Sequence, residues 1–454
     1  MSPENTHAGG PREQTRMTRR GGRTLVLTVG TGDLDRLEET LFTPLRKSIA
    51  TDAWARVVLL PSTVTEDFAR TLRHRLDGAA VEVSPLPAGD ENDADAAYAH
   101  FDRVLATLLR DAAPADVVVD FTRGTKAMSA ALVLAATRRA VPRLRYVTGR
   151  RDRRGMVEPG SEQVRGIRTT TVEGHRRLDL ARALFARGDF AAVTHVLPAP
   201  DGSLAPLYPD DFVHTARAVR SAARFYAAWD RLDHAAAATV EVAEPPSDDW
   251  RRFWPTADAH DWVAALAREP ERIDHRSMAA RLRRLAVDLL ANGERRLRQG
   301  QNEDALVRAY RLLELVGQAR LFDHGLDSAN LDPDHAAVVA VQRESERKKR
   351  KPFSEGPGGK LLASRFQVGR LLRHCGDRLA KSLLRFDDET LLKPTLRNNS
   401  VLVHGFAARA PDDPASLRRL FEDLEKLARE DCGDAVPEVA DWLRIAKSPM
   451  FDAM

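Results

Sequence analysis

The sequence predicts an α/β domain built on an open parallel sheet, followed by a chain that is helical to its end. Three observations carry that expectation. Apolar, β-branched runs alternate with helical patterns up to about residue 173. From His175 onward only the helical period remains. Two of the apolar runs, 24–29 and 117–121, each end in a short polar loop that opens a helix. In a parallel sheet such loops lie beyond the carboxyl ends of the strands, where ligands bind.

Taken in order, the predicted strands are 24–29, 56–60, 81–86, 117–121 and 144–148, with a short β-branched edge strand at 167–172 after a Gly-rich loop. Helical patterns at 34–50, 66–76 and 94–110 fall between them. Residues 178–187 and 190–196, joined by Gly188-Asp189, read as a helical hairpin. Pro198, Pro200, Pro206 and Pro209 mark a linker, and helices follow at 211–232 and 261–267. A last helical block contains 279–300, 303–321, 361–372 and 417–429, interrupted by a basic run at 347–351 and a Gly-rich segment at 355–359. The organisation expected is a disordered tail at 1–22, an α/β domain at 23–174, a helical connector at 175–276 and a helical domain at 277–454.

Composition narrows the class. The 454 residues allow two or three domains. Hydrophobic residues at 43% and charged residues at 30% are ordinary for a globular protein. The net charge of +4 permits nucleic acid as a partner without demanding it. Cys375 and Cys432 are the only cysteines, too few for a zinc cluster and in keeping with a reduced cytoplasm. No apolar run reaches the roughly 18 residues needed to span a bilayer, and the first 22 residues lack the apolar segment of a signal peptide.

Two constellations carry chemistry. The first is the pair of loops. Gly30-Thr31-Gly32-Asp33 follows the first strand, and Thr122-Arg123-Gly124-Thr125-Lys126 follows the fourth. Amides at a helix N-terminus, hydroxyls and a lysine make an anion site. Neither loop completes a P-loop or a dinucleotide fingerprint, which argues against a nucleotide-cofactor enzyme at this domain. Two such loops on one sheet point to one nucleotide-like ligand held by both. Taken singly, each loop also reads as an ordinary βα turn.

The second constellation is Arg397-Asn398-Asn399-Ser400, then Val401-Leu402-Val403, then His404-Gly405. Seven residues carry about 700° around a helix, nearly back to one face. Histidine moves protons near neutral pH, and arginine stabilises a phosphorane, a pairing suited to metal-free RNA cleavage by the substrate's own 2′-OH. Spacing alone discriminates poorly, because Arg168/His175 and Arg268/His275 repeat it. Only the third pair has a polar cluster after the arginine and an apolar run before the histidine.

At these residues a family resemblance appears. VGTG with DFTRGTKAMSAAL resembles the ligand loops of CARF domains, the Rossmann-like sensors of type III CRISPR accessory proteins. LRNNSVLVHGF resembles the R-x(4–6)-H motif of HEPN ribonucleases, and GQNEDALVRAYRLLELVGQARL resembles a helix that precedes it in CARF–HEPN proteins. The resemblance covers about 23–173 and the block from about 277; the stretch 175–276 carries no motif. It implies a Rossmann-like CARF domain, an all-α connector and an α-helical HEPN domain. It implies a homodimer in which cyclic oligoadenylate, as allosteric activator and with no cofactor, switches on cleavage of single-stranded RNA. The residues it implies for ligand binding are Gly30, Thr31, Gly32, Thr122, Gly124, Thr125 and Lys126. For catalysis they are Arg397 and His404, with Asn398 supporting. Arg123 stands where the family commonly has a small residue, and either contacts phosphate or alters ring-size preference. The Thr122–Lys126 loop could also cleave the bound ring slowly. The alternative is a sensor whose HEPN domain is an inactive scaffold.

Overall fold

The first strand, β1 (Thr24–Val29), is buried on every residue, as a Val/Leu-rich run in the middle of a two-sided sheet must be. The structure, a computed structural model, describes residues 22–76, 79–150, 153, 157–158, 160–199, 207–269, 274–349, 351–389, 414–433 and 439–448. The tail expected at 1–22 lies, but for its last residue, outside them. The chain divides into two compact units, Met1–Arg176 with Asp201–Val213, and Arg177–Pro200 with His214–Met454.

In the first unit β1 is followed by one 3-10 turn (Leu34–Arg36), a π turn (Glu38–Phe42) and α1 (Thr43–Ile49). Then come β2 (Arg56–Pro61), α2 (Glu66–His74), β3 (Ala80–Val83), α3 (Ala94–Leu108), β4 (Val117–Asp120), α4 (Lys126–Arg138), β5 (Arg143–Thr148) and β6 (Gln163–Arg168). The sheet order is β3-β2-β1-β4-β5-β6. All neighbours are parallel except β6, which runs antiparallel beside β5 with Arg143 opposite Arg168.

Alternation along the strands separates two cores. Leu25, Leu27, Val57 and Leu59 face Leu41, Leu45 and Leu72 on one side. Val26, Val58 and Val119 face Phe101, Leu105, Leu132 and Ala135 of α3 and α4 on the other. Each such side chain contributes roughly 1.5–3 kcal/mol when taken out of water.

From Thr170 on, the chain is mainly helical. α5 (Thr170–Ala186) and α6 (Phe190–Val196) form the hairpin around Gly188. α7 (Asp210–Asp230), α8 (His234–Ala238), α9 (Asp248–Arg251) and α10 (Ala257–Ala267) follow. α5 and α7 each begin in the first unit and continue in the second. Two long helices, α11 (His275–Arg298) and α12 (Asn302–Asp323), then run beside each other. α13 (Ala336–Arg347), β7 (Ser354–Glu355), β8 (Leu361–Leu362), α14 (Arg365–His374), α15 (Ala380–Glu389), α16 (Pro414–Cys432) and α17 (Val439–Ala446) complete the described part. One face of α11 is polar and buried. Asp288 accepts from Trp229 Nε1 at 2.8 Å, Trp262 Nε1 at 3.0 Å and His234 Nε2 at 2.9 Å. Four and seven residues on, Asn292 and Arg295 both hold Asp230, so one helical stripe clamps the end of α7.

Four expectations are corrected. The pattern at 34–50 is not one α-helix but a 3-10 turn, a π turn and a short α-helix. Residues 167–172 are not the edge strand; β6 ends at Arg168 and α5 begins at Thr170. The third strand stops at Val83, and Ser84 and Leu86 only return single backbone bonds to Leu59 and Pro61. Leu361 and Leu362 pair with Ser354 and Glu355 as a hairpin across Pro357–Gly359, and the helix begins at Arg365 behind a Ser364 capping box.

Candidate functional site

β1 lies between β2 and β4, and the chain leaves β1 and β4 side by side. This is the switch point of the sheet, where adjacent connections go opposite ways and open a crevice. The loops 30–33 and 121–125 meet there, backbone against backbone. A Cβ at Gly30 would stand 2.5 Å from the Gly124 amide nitrogen, so no side chain fits. Gly124 itself has φ +113°, a conformation that glycine alone adopts without strain. The Thr28 hydroxyl donates to the Arg123 carbonyl and ties the two loops together.

Asp120, 1% exposed at the end of β4, organises the crevice from beneath. Its Oδ1 accepts the Thr122 amide at 3.0 Å and the Thr122 hydroxyl. Its Oδ2 accepts Arg145 Nε at 3.1 Å and the Ser48 hydroxyl. Arg145 also donates to the Ser48 carbonyl at 2.6 Å and to Thr51 Oγ1 at 2.9 Å, and its guanidinium lies 5.0 Å from the Trp54 ring centroid. Burial pulls the Arg145 pKa down while Asp120 opposes it. The pair is therefore a paired buried charge rather than an exposed one.

The threonines are committed to shaping the loop. The Thr122 hydroxyl also accepts the Val147 amide at 2.8 Å. Thr125 caps α4 by accepting the Met128 amide at 3.1 Å and donates to the Glu91 carbonyl. Ser129 donates to the Phe121 carbonyl at 3.2 Å. Gly32 is held tight, since a Cβ there would stand 2.8 Å from Thr40 Oγ1. What is exposed is Thr31 and the ammonium of Lys126, and the only uncapped amides at the start of α4 are those ahead of Met128. Arg123 is half-buried, and its Nε is buried with no hydrogen-bond partner. Burial lowers its pKa against the pull of Asp120 and Glu162. Arg123 is thus a partly buried cation at the loop that opens α4, answered through space by two acids.

The two loops singled out in the sequence do lie together, while Asp120, Ser48 and Arg145 beneath them were not singled out. The available signal was an aspartate closing the apolar run Val117-Val118-Val119 and an arginine inside a strand expected to be buried.

Arg397, Asn398 and His404 lie outside the described residues. The frame on either side of them is described. α16 carries Asp431, whose carboxylate accepts from Arg283 Nε at 3.2 Å and Nη2 at 3.1 Å, binding α16 to α11. Burial pushes Asp431 up to about 6 against the pull of Arg283. Arg320 of α12 reaches Asp377 at 2.6 Å, and His324 reaches the same oxygen at 2.9 Å. Among the described residues no group of three or more His, Cys, Asp or Glu side chains is placed to hold a metal. No described helix is long and apolar enough to cross a membrane.

Comparison with known proteins places this architecture. Residues 276–428 match the family model described as the Csm6 HEPN domain. No curated protein matches the sequence. Among solved structures, Enterococcus italicus Csm6 bound to cyclic hexa-2'-fluoro-hexa-dAMP is similar with a TM-score of 0.58. The identity is 11%, over 94% of this chain and 99% of that one, so the likeness speaks to the fold.

Proposed function

We propose that this chain is a CRISPR-associated CARF–HEPN protein, an endoribonuclease of type III CRISPR defence that is switched on by cyclic oligoadenylate. The observation that carries the reading is the pairing, in one chain, of a Csm6 HEPN match at 276–428 with an anion-ready crevice at the switch point of a Rossmann-like sheet. The ligand named for the E. italicus structure, a cyclic hexa-deoxyadenylate, is a ring of phosphates and adenines. Lys126, the α4 amides and Arg123 supply the charge and donors that such a ring needs.

In the reaction, the 2′-oxygen of the RNA attacks its own phosphorus. The P–O5′ bond breaks, giving a 2′,3′-cyclic phosphate and a free 5′-hydroxyl. His404 takes or returns the proton, Arg397 stabilises the charged phosphorane, and Asn398 orients them. The nucleophile belongs to the substrate, so the step requires no metal. Two copies of the Arg397–His404 segment in a homodimer would face one RNA.

The test is cleavage of a labelled single-stranded RNA with cyclic tetra- and hexaadenylate in turn, with and without EDTA. Activation by one ring, survival in EDTA and cyclic-phosphate ends are expected. His404→Ala and Arg397→Ala should each remove most of the activity while ring binding persists. Full activity in His404→Ala would sink the catalytic assignment. Ring binding with no cleavage under any condition would favour the sensor with an inactive HEPN scaffold. Chromatography of the ring after incubation reads out any slow ring cleavage at the crevice.

A further inference from the structure

The helical unit contains a second basic feature, away from the Arg397–His404 motif in sequence. The turn between α5 and α6, the end of α7 and the C-terminal turns of α11 line a groove of about 860 Å³. Six arginines enter it against two aspartates. Its net charge of +4 equals the formal charge of the entire chain. The groove lining is therefore net cationic.

The acids there are already used. Asp230 accepts Arg295 Nε at 2.8 Å and also pairs with Arg296. Asp189 caps α6 through the Ala192 amide at 3.3 Å. Arg187, Arg231 and Arg418 are exposed, and among the described residues no carboxylate pairs with them. Arg298, also exposed, acts on Glu294 only through space. Beneath them Arg295 is 3% exposed, yet its Nη2 has no hydrogen-bond partner. The walls are tied to each other. Gln299 Nε2 donates to the Gly188 carbonyl at 3.3 Å, and Arg296 Nη1 donates to Gln299 Oε1 at 3.0 Å. The cations are therefore held on a braced frame, which reduces the ordering cost of binding.

We propose that this groove binds the phosphate backbone of the single-stranded RNA substrate, outside the cleavage motif and without regard to sequence. The proposal rests on the ribonuclease reading above. Among the described residues the only aromatic side chain lining the groove is Phe190, 2% exposed and stacked on Tyr226, so they offer no platform for bases. Arginine forks without aromatic partners fit phosphates. Arg418 stands in the second turn of α16, fourteen residues after His404 in the chain, so one edge of the groove belongs to the helix that follows the motif.

The test is anisotropy of a fluorescent 2′-O-methyl oligouridine, which cannot be cleaved, on the full chain across a salt series. The triple variant Arg187→Gln, Arg231→Gln, Arg298→Gln keeps side-chain length on exposed positions, and a charge-reversed set to Glu serves as the second variant. Each phosphate contact contributes about 0.7 to the slope of log K against log salt for single strands, so losing three lowers the slope by about 2 and affinity at low salt by tenfold or more. An unchanged slope and affinity in both variants overturns the proposal. So does a wild type that binds a polyglutamate peptide and not RNA. Cleavage of unmodified RNA by the wild type, run in parallel, separates the two readings. Lost slope without cleavage keeps the groove and removes the nuclease, whereas cleavage with an unchanged slope removes the groove alone.

Discussion

Asp120 and Lys126 sit on the same βα turn and do opposite work. Asp120 is buried and spends both oxygens on Thr122, Ser48 and Arg145. Lys126 is exposed at the first position of α4. Removing one partner from a buried ion pair costs roughly 3–5 kcal/mol, because the other charge is left uncompensated. Asp120→Ala should therefore lower the denaturation midpoint of the chain and lose ring binding with it. Lys126→Ala should leave that midpoint unchanged and weaken cyclic oligoadenylate roughly ten- to a hundredfold, the worth of one charged hydrogen bond. Calorimetry and a urea titration on both variants check the contrast. Wild-type ring affinity in Lys126→Ala would remove the crevice as the ligand site. Thr122→Ala is expected to resemble Asp120→Ala, because its hydroxyl braces the loop between Asp120 and the Val147 amide. The residue types of both loops were legible from sequence. Their division into buried braces and exposed groups was not, since that depends on an aspartate, a serine and an arginine brought together from three elements.

At the scale of elements, α13 and α14 are joined by one acidic side chain. Glu344 pairs with Arg370 at 2.9 Å, Lys348 at 3.1 Å, Arg373 at 3.3 Å and His374 at 3.4 Å. Arg370 foremost, then Lys348, hold its carboxyl down to about 2 from the ordinary 4.5. A depressed acid stabilises the fold above its unfolded pKa and loses that contribution as pH falls toward the folded one. Stability should therefore decline between about pH 4.5 and 2, and Glu344→Gln should be less stable at neutral pH, by about 1 kcal/mol for a partly exposed cluster, and flatter across that window. Denaturant titrations at stepped pH measure this; parallel curves for the two proteins would remove Glu344 as the cause. Element types were mostly readable, since β1 and the two long helices follow hydrophobic periods that burial enforces. The misses share a physical origin. Leu361 and Leu362 carry an apolar signal that fits helix or strand, and the hairpin partner decides it. Residues 167–172 are β-branched, yet Thr170 is already helical because the chain turns after pairing with β5.

For the molecule as a whole, the proposed activation is a question of linkage. The crevice is open on the side of Thr31 and Lys126, and two large apolar side chains stand unburied on the elements that carry its loops. Leu34, just after Asp33, is 74% exposed, and Leu134, two turns along α4 from Lys126, is 60% exposed. Apolar exposure on the elements that carry these loops is what an isologous contact would cover, and under the proposed function the ring would then be shared across the two-fold axis. The expected state is a homodimer that binds one ring per two chains. Leu134→Glu should weaken dimerisation and, with it, both ring binding and activation. If the ring favours the RNA-binding arrangement, RNA must favour ring binding by the same factor. Ring affinity of His404→Ala measured with and without uncleavable RNA should thus rise by the factor by which the ring raises RNA affinity. A coupling of 1–3 kcal/mol corresponds to about 5- to 150-fold. Light scattering gives the mass and calorimetry the stoichiometry. A monomer that binds one ring per chain and is fully active would exclude the shared site, and equal ring affinity with and without RNA would exclude coupling between the two functions.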